Sequence, residues 1–147
     1  MNSIENYFVV SNICSTPEWK HIFTSILNHC DQFEVIYPDG EFDSENPLMG
    51  GKLEIEKVRG TLVKPWDGMA NSVSISGELS NISRKIIYKL EEPSFTGFIP
   101  ELWCFQLLKN GTLFLSVQDF NVCLLENHQE MISLLGDKGI SIDIFDW

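Results

Sequence analysis

The chain has 147 residues, of which 44% are hydrophobic and 12% aromatic, and it carries 21 Asp and Glu against 10 Lys and Arg. This composition excludes a disordered, collagen-like or repetitive chain and predicts one globular domain over residues 1–147. The net charge of -11 repels phosphate backbones and anionic lipid surfaces, which argues against nucleic acid and membrane as direct partners and favours a basic protein partner.

Localisation and redox state follow from the N-terminus and the cysteines. The first ten residues lack the basic start and long apolar run of a signal peptide, and no stretch approaches the roughly 20 apolar residues of a membrane span. We therefore expect a cytoplasmic protein. The cysteines are widely spaced among apolar neighbours, which predicts buried, reduced thiols at Cys14, Cys30, Cys104 and Cys123.

Two strands and a helix are predicted in the first 40 residues. The segments Tyr7–Val10 and Phe33–Tyr37 are short, rich in aromatic and β-branched residues and bounded by polar turns, which is typical of strands. Between them, apolar residues recur at steps of three and four and predict a helix from Pro17 to Cys30. Its buried stripe would consist of Trp19, Ile22, Phe23, Ile26, Leu27 and Cys30.

An acidic segment follows the second strand. Between Asp31 and Gly51, six acids face no Lys or Arg: Asp31, Glu34, Asp39, Glu41, Asp43 and Glu45. The alternating acids suit a calcium loop, but the position that needs glycine holds Ser44 and the position that needs a bidentate glutamate holds Gly50. Two interpretations remain, a solvated acidic loop and a charged recognition loop.

The middle of the chain predicts two strands and one ambiguous element. In Lys52–Arg59 two apolar residues alternate with two glutamates, which favours a strand, and Asn71–Leu79 alternates apolar residues with serines, as in a sheet with one solvated face. Residues 81–91 fit a strand or a helix capped by Ser80, and the helix is favoured. The apolar face of that helix would hold Ile82, Ile86 and Leu90.

A β-hairpin is the strongest strand signal. The segments Leu102–Leu108 and Leu113–Phe120 flank Asn110-Gly111, which suits a type I′ turn because both central residues need positive φ. The turn predicts a register with Cys104 opposite Val117. Because both faces of Leu102–Leu108 are largely apolar, we expect this strand at the centre of the sheet.

The remaining elements complete an α+β fold. A short apolar run, Val122–Leu125, precedes a helix predicted over residues 127–136, and Ile140–Phe145 alternates like a final strand. We predict one antiparallel or mixed sheet of about five to seven strands with two or three helices packed on it.

Patterns for catalysis, cofactors and metals are absent from the sequence. His29-Cys30 is the one close pair of zinc ligands, and adjacent helical residues point in different directions. No glycine-rich phosphate loop occurs, and the adjacent carboxylates of Glu91 and Glu92 are typical of a solvated cap. The sequence therefore predicts a protein that binds rather than catalyses, without a cofactor or a metal.

The segment Asp39-Gly-Glu-Phe-Asp-Ser-Glu45, the negative total charge and the lack of catalytic residues resemble the small acidic immunity proteins of bacterial polymorphic and contact-dependent toxin systems. The resemblance implies a cytosolic α+β domain that occludes the active site of a cognate toxin. Such a toxin would be basic, as a nuclease is. From their charge and position, we expect the toxin contacts to be Asp39, Glu41, Asp43 and Glu45, with Phe42 as an apolar anchor.

Two other hypotheses belong to different functional classes. An accessory or scaffold domain of a bacterial assembly would bind through its C-terminal residues, Ile144-Phe145-Asp146-Trp147. A small-molecule enzyme would use a pocket formed by Trp66, Trp103 and the Glu91-Glu92 pair.

Overall fold

A computed structural model describes residues 7–38, 47–66 and 72–141. It contains seven strands: β1 (Tyr7–Val10), β2 (Gln32–Tyr37), β3 (Leu62–Pro65), β4 (Val73–Glu78), β5 (Cys104–Lys109), β6 (Thr112–Gln118) and β7 (Val122–Glu126). The α-helices are α1 (Trp19–His29), α2 (Lys52–Glu56), α3 (Asn81–Glu91) and α4 (Gln129–Asp137).

The strands form a single antiparallel sheet in the order β1-β7-β6-β5-β2-β4-β3. The predicted α+β fold with about five to seven strands is therefore confirmed. Strand β5 is the fourth of seven, so the hairpin strand does lie at the centre of the sheet. Four helices are present among the described residues, and the one beyond the predicted number is the short α2.

One hydrophobic core joins the helices to one face of the sheet. All four helices contribute buried residues to it, together with alternate residues of the strands. The predicted stripe of α1 is fully buried, and the ring of Phe23 meets Phe105 of β5 edge-on at 6.1 Å between centroids. The end of α1 is fixed by Arg84, whose guanidinium donates to the carbonyls of Leu27 and Cys30.

The segment Lys52–Arg59, predicted as a strand, contains α2. Alternation over five residues suits a strand, but a single helical turn buries one residue as readily, and here Ile55 is the buried one while Leu53 is 64% exposed. An ion pair between Lys52 Nζ and Glu56 Oε2 at 2.9 Å, four residues apart, accompanies this turn.

The predicted register of the hairpin holds only next to its turn. Lys109 pairs with Thr112, but a bulge at Leu107/Leu108 shifts the ladder by one residue, so Val117 lies opposite Phe105 and not Cys104. The extra residue, Phe114, is fully buried between the rings of His29 and His128. The β-bulge and the burial of the Phe114 ring therefore occur at the same place in the hairpin.

The face of β4 predicted to be solvated is partly buried. Ser72 and Ser74 are each 2% exposed, and Ser74 Oγ donates to Glu34 Oε2 at 2.6 Å. Ile36, which pairs with Ser74 across the sheet, is 3% exposed. The prediction of a wet face is therefore wrong at this end of β4.

The first strand and the first helix of the chain pack against its last strand and last helix. Among the described strands, β1 pairs with β7 alone, and α1 packs against α4. Two histidines of α1 reach α4: His29 Nε2 lies 2.8 Å from Glu130 Oε2, and His21 Nε2 lies 2.7 Å from the Lys138 carbonyl. The third histidine, His128, caps α4, because its Nδ1 accepts from the Met131 amide at 3.1 Å.

The four cysteines are free thiols, but only Cys30 and Cys123 are buried, while Cys14 and Cys104 are half-buried. Among the described helices, none is long and apolar enough to cross a bilayer. The predicted last strand lies almost entirely outside the described residues.

Candidate functional site

The five residues expected to contact a partner, Asp39, Glu41, Phe42, Asp43 and Glu45, lie outside the described residues. The structure does define the two points between which this acidic segment runs. Tyr37 ends β2, and Pro47–Met49 forms a short 3-10 turn on the other side. The Tyr37 hydroxyl donates to the Gly50 carbonyl at 3.1 Å, so a partly buried hydrogen bond links the residues on either side of the segment.

The charges of the chain are divided unevenly between the described residues and the rest. The described residues hold 13 acids and all 10 bases, whereas the segments outside them hold 8 acids and no base. Half of those 8 acids lie within residues 39–46, which therefore form the most acidic short stretch of the chain.

Beside the base of the acidic segment lies a groove of about 790 Å³ between α2 and α3, called here the α2–α3 groove. Apolar and charged side chains alternate along it. The apolar ones include Leu53, Ile86 and Leu90, and the charged ones are Lys52, Glu54, Glu56, Lys89 and Glu101.

Two glycines form one wall of this groove because no larger residue fits. A Cβ atom on Gly50 would lie 2.3 Å from the carbonyl oxygen of Glu101, which is well inside van der Waals contact. Gly51 has φ +78°, in the left-handed region that favours glycine, and it precedes the first residue of α2. Gly50-Gly51 therefore sets how closely the chain after the acidic segment approaches residue 101.

Helix α3 turns part of its apolar stripe away from the core. The helix begins as predicted at Ser80, whose Oγ accepts from the Ser83 amide in a capping box. Its buried face, however, consists of Ser83, Ile87, Leu90 and Glu91. Of the predicted stripe, Ile82 is 70% exposed and Ile86 is half-buried in the α2–α3 groove.

Glu91, at the end of α3, is a fully buried carboxyl without a basic partner among the described residues. Its Oε1 has no hydrogen-bond partner, and its Oε2 lies 3.2 Å from Ser94 Oγ. Burial raises the pKa of this carboxyl well above its usual range, against the smaller lowering effect of the Ser94 hydrogen bond.

Ser94 links Glu91 to helix α1. Ser94 Oγ has one hydrogen and donates it to the Glu91 carbonyl at 2.6 Å, and it accepts from Trp19 Nε1 at 2.8 Å. A second, longer contact runs from the same hydroxyl to Glu91 Oε2 at 3.2 Å, where Ser94 again donates. Burial without a basic partner among the described residues favours the neutral form of Glu91, and Ser94 connects the end of α3 to Trp19 of α1.

The residues of the enzyme hypothesis are not gathered around the α2–α3 groove. Glu91 points into the core while Glu92 is exposed, so the two carboxyls do not face a common space. Trp66 is half-buried, and Trp103 Nε1 donates to Asp119 Oδ1 at 3.3 Å. The C-terminal contact of the scaffold hypothesis, residues 144–147, lies outside the described residues.

Within the described ranges, no three His, Cys, Asp or Glu side chains come together as metal ligands. Comparison of the chain with models of protein families, with curated proteins and with solved structures found no match.

Sequence reasoning missed the α2–α3 groove, although two signals for it were present. The Gly50-Gly51 pair indicates a close backbone approach, and the spacing of Ile82, Ile86 and Leu90 indicates an apolar helix stripe. Which part of that stripe stays exposed depends on α2, and α2 was predicted as a strand.

Proposed function

We propose that this protein is an acidic protein-binding module that neutralises a basic partner, and that it acts as an immunity protein by occluding the active site of a cognate toxin. The observation that carries the proposal is the charge pattern of the sequence: six acids and no base between Asp31 and Gly51, in a chain with a net charge of -11. A stable fold does not need a run of acids without a base among them.

Concentrated carboxylates suit the cleft of a nuclease. Such a cleft is basic because it binds phosphates, and an acidic segment can fill it in their place. Long-range attraction would also speed the encounter, with a rate that falls as salt rises. In this proposal Asp39, Glu41, Asp43 and Glu45 meet the basic cleft, and Phe42 supplies an apolar anchor.

The α2–α3 groove, which consists of described residues, supports the same proposal. Its residues 49–56 follow the acidic segment in sequence, and it combines apolar side chains with Glu54 and Glu101, while Glu56 is ion-paired with Lys52. A basic partner presenting an apolar side chain beside a lysine or arginine would find both contacts there. Tight interfaces usually place such an apolar anchor within a charged rim.

The test compares two variants that remove the same amount of charge. In the first, Asp39, Glu41, Asp43 and Glu45 become Asn or Gln. In the matched control, four exposed acids elsewhere are neutralised in the same way: Glu18, Glu78, Glu92 and Asp137. The partner is isolated by pull-down from the native cytosol, and its binding kinetics are then measured at two ionic strengths.

We expect the first variant to associate about tenfold more slowly at low salt, with a shallower salt dependence, and the control to retain most of the wild-type rate. Phe42→Ala should instead speed dissociation. If both charge variants bind like the wild type, the acidic segment is not the interface. The accessory-domain hypothesis, with contacts at residues 144–147, would then be preferred.

A further inference from the structure

The two edges of the sheet differ in how well they are covered. At one edge, β1 places Phe8 and Val10 in the core, with exposures of 0% and 5%. At the other edge, all four residues of β3 are exposed, and Leu62 and Val63 show 64% and 60% of their surface. An exposed edge strand with apolar side chains is a template for a further strand.

The ladder between β3 and β4 shows which backbone groups face outward. The Trp66 amide donates to the Ser72 carbonyl at 2.9 Å, so by alternation Lys64 and Leu62 bond to β4. Val63 and Pro65 therefore direct their backbone groups away from the sheet. Pro65 fits this position because it has no amide hydrogen to lose, and the outward donor is the Val63 amide.

Basic side chains border this edge. Residues 57–66 contain Lys57, Arg59 and Lys64 and no acid, although the chain as a whole is strongly acidic. Arg59 and Lys64 are exposed, form no ion pair with a described residue, and line one groove together with Leu62. Glu34 and Glu78 also line that groove, but they belong to the inner strands, and Glu34 is engaged by Ser74.

We propose that β3 is a docking edge for an extended acidic segment of another protein, which adds an eighth strand to the sheet. The Val63 amide and carbonyl would pair with the backbone of that strand. Its carboxylates would meet Lys64 and Arg59 on the face that Leu62 shares, and its apolar residues would cover Val63 on the other face. This surface is separate from the one proposed above, and its occupant has the opposite charge.

A second copy of the chain is a poorer occupant. Pairing β3 with β3 would bring the bases of both copies together, and it would join two chains that each carry a charge of -11. Charge complementarity therefore selects an acidic strand.

The experiment uses the whole chain and a synthetic fluorescent peptide, four repeats of Glu-Val with blocked ends, with four repeats of Lys-Val for comparison. Binding is measured by fluorescence anisotropy, and the contacted amides are located by NMR. We expect the acidic peptide to bind the wild type at least about tenfold more tightly than the basic peptide. The amides of residues 61–66 should shift.

Three variants complete the test. Arg59→Glu with Lys64→Glu should reverse the preference between the two peptides, and Lys20→Glu with Lys85→Glu, at exposed sites elsewhere, should not. Val63→Pro removes the outward donor and should abolish binding of either peptide while the NMR spectrum of α1 and β5 is preserved. The proposal would be overturned if both peptides bound with equal affinity, or if the NMR shifts fell on amides outside residues 61–66. It would also be overturned if sedimentation showed that the chain associates with itself through β3.

Discussion

Tyr37 and Gly50, on either side of the acidic segment, are joined by a partly buried hydrogen bond. The hydroxyl donates to the carbonyl at 3.1 Å, and Tyr37 is completely buried. Burial raises the pKa of this hydroxyl above its usual range, with smaller contributions from Glu54 and Glu56 of α2. The hydroxyl therefore stays protonated and keeps its donor role across the physiological pH range.

Removing this hydroxyl should loosen the base of the acidic segment. In Tyr37→Phe the Gly50 carbonyl loses its donor, and we expect the free energy of unfolding to fall by about 1–3 kcal/mol. The measurement is urea denaturation followed by tryptophan fluorescence. Tyr88→Phe is the control, since the Tyr88 hydroxyl makes no hydrogen bond to another described residue, and its loss should change stability less.

Glu91 should make stability fall as the pH rises. Below the unfolded-state pKa of about 4.3, the carboxyl is protonated in both states and contributes no penalty. Above it, the unfolded chain releases the proton while the folded chain retains it. The free energy of unfolding then decreases by up to about 1.4 kcal/mol per pH unit until the raised folded-state pKa is reached.

Glu91→Gln isolates this effect because glutamine resembles the protonated acid and does not titrate. We expect the variant to match the wild type at pH 4 and to become progressively more stable than the wild type toward pH 7. Denaturation curves across that range provide the measurement. Glu92→Gln, at the exposed neighbouring position, should show no such divergence, and a wild-type advantage at pH 7 would mean that Glu91 is ionised.

The buried stripe of α1 gives a prediction about core packing. Phe23 is fully buried and contacts Trp19, Phe95 and Phe105 through its ring. Phe23→Ala should lower the free energy of unfolding by about 3–5 kcal/mol, since it leaves a cavity in the core. Ile82→Ala, on the exposed stripe of α3, should change it by about 0.5 kcal/mol or less, and equal losses would contradict this description of the core.

The cap of α4 can be tested at His128. Its Nδ1 accepts from the Met131 amide, which leaves Nε2 to donate to the Leu113 carbonyl at 3.2 Å. His128→Ala should cost about 1 kcal/mol because the amide loses its acceptor, and His128→Asn should recover part of that loss by restoring a capping oxygen. Thermal unfolding by circular dichroism would rank the three proteins.

Most of the fold could be predicted because its signals are local. The period of α1, the Ser80 cap of α3 and the Asn110-Gly111 turn each act within a few residues, and each element formed as predicted. The predictions that failed concern features that depend on contacts between residues far apart in the sequence. The bulge places Phe114 against His29 and His128, and the five residues of α2 satisfy either periodicity until Ile55 meets the core.

The candidate site was less predictable than the fold. Charge patterning identified the acidic segment directly from the sequence. The α2–α3 groove depends instead on a contact between Gly50 and Glu101, which are 51 residues apart, and the edge position of β3 depends on the order of all seven strands. Neither long-range relationship is encoded in a local pattern.

The pairing of the first elements with the last has a consequence for the order of events during synthesis. Strand β1 and helix α1 emerge early from the ribosome, but their partners β7 and α4 are made about 100 residues later. Until then the apolar stripe of α1 lacks the cover that α4 provides, and β1 lacks the strand β7 with which it pairs. Until residues 122–138 have been added, the nascent chain exposes apolar surface that the folded protein buries.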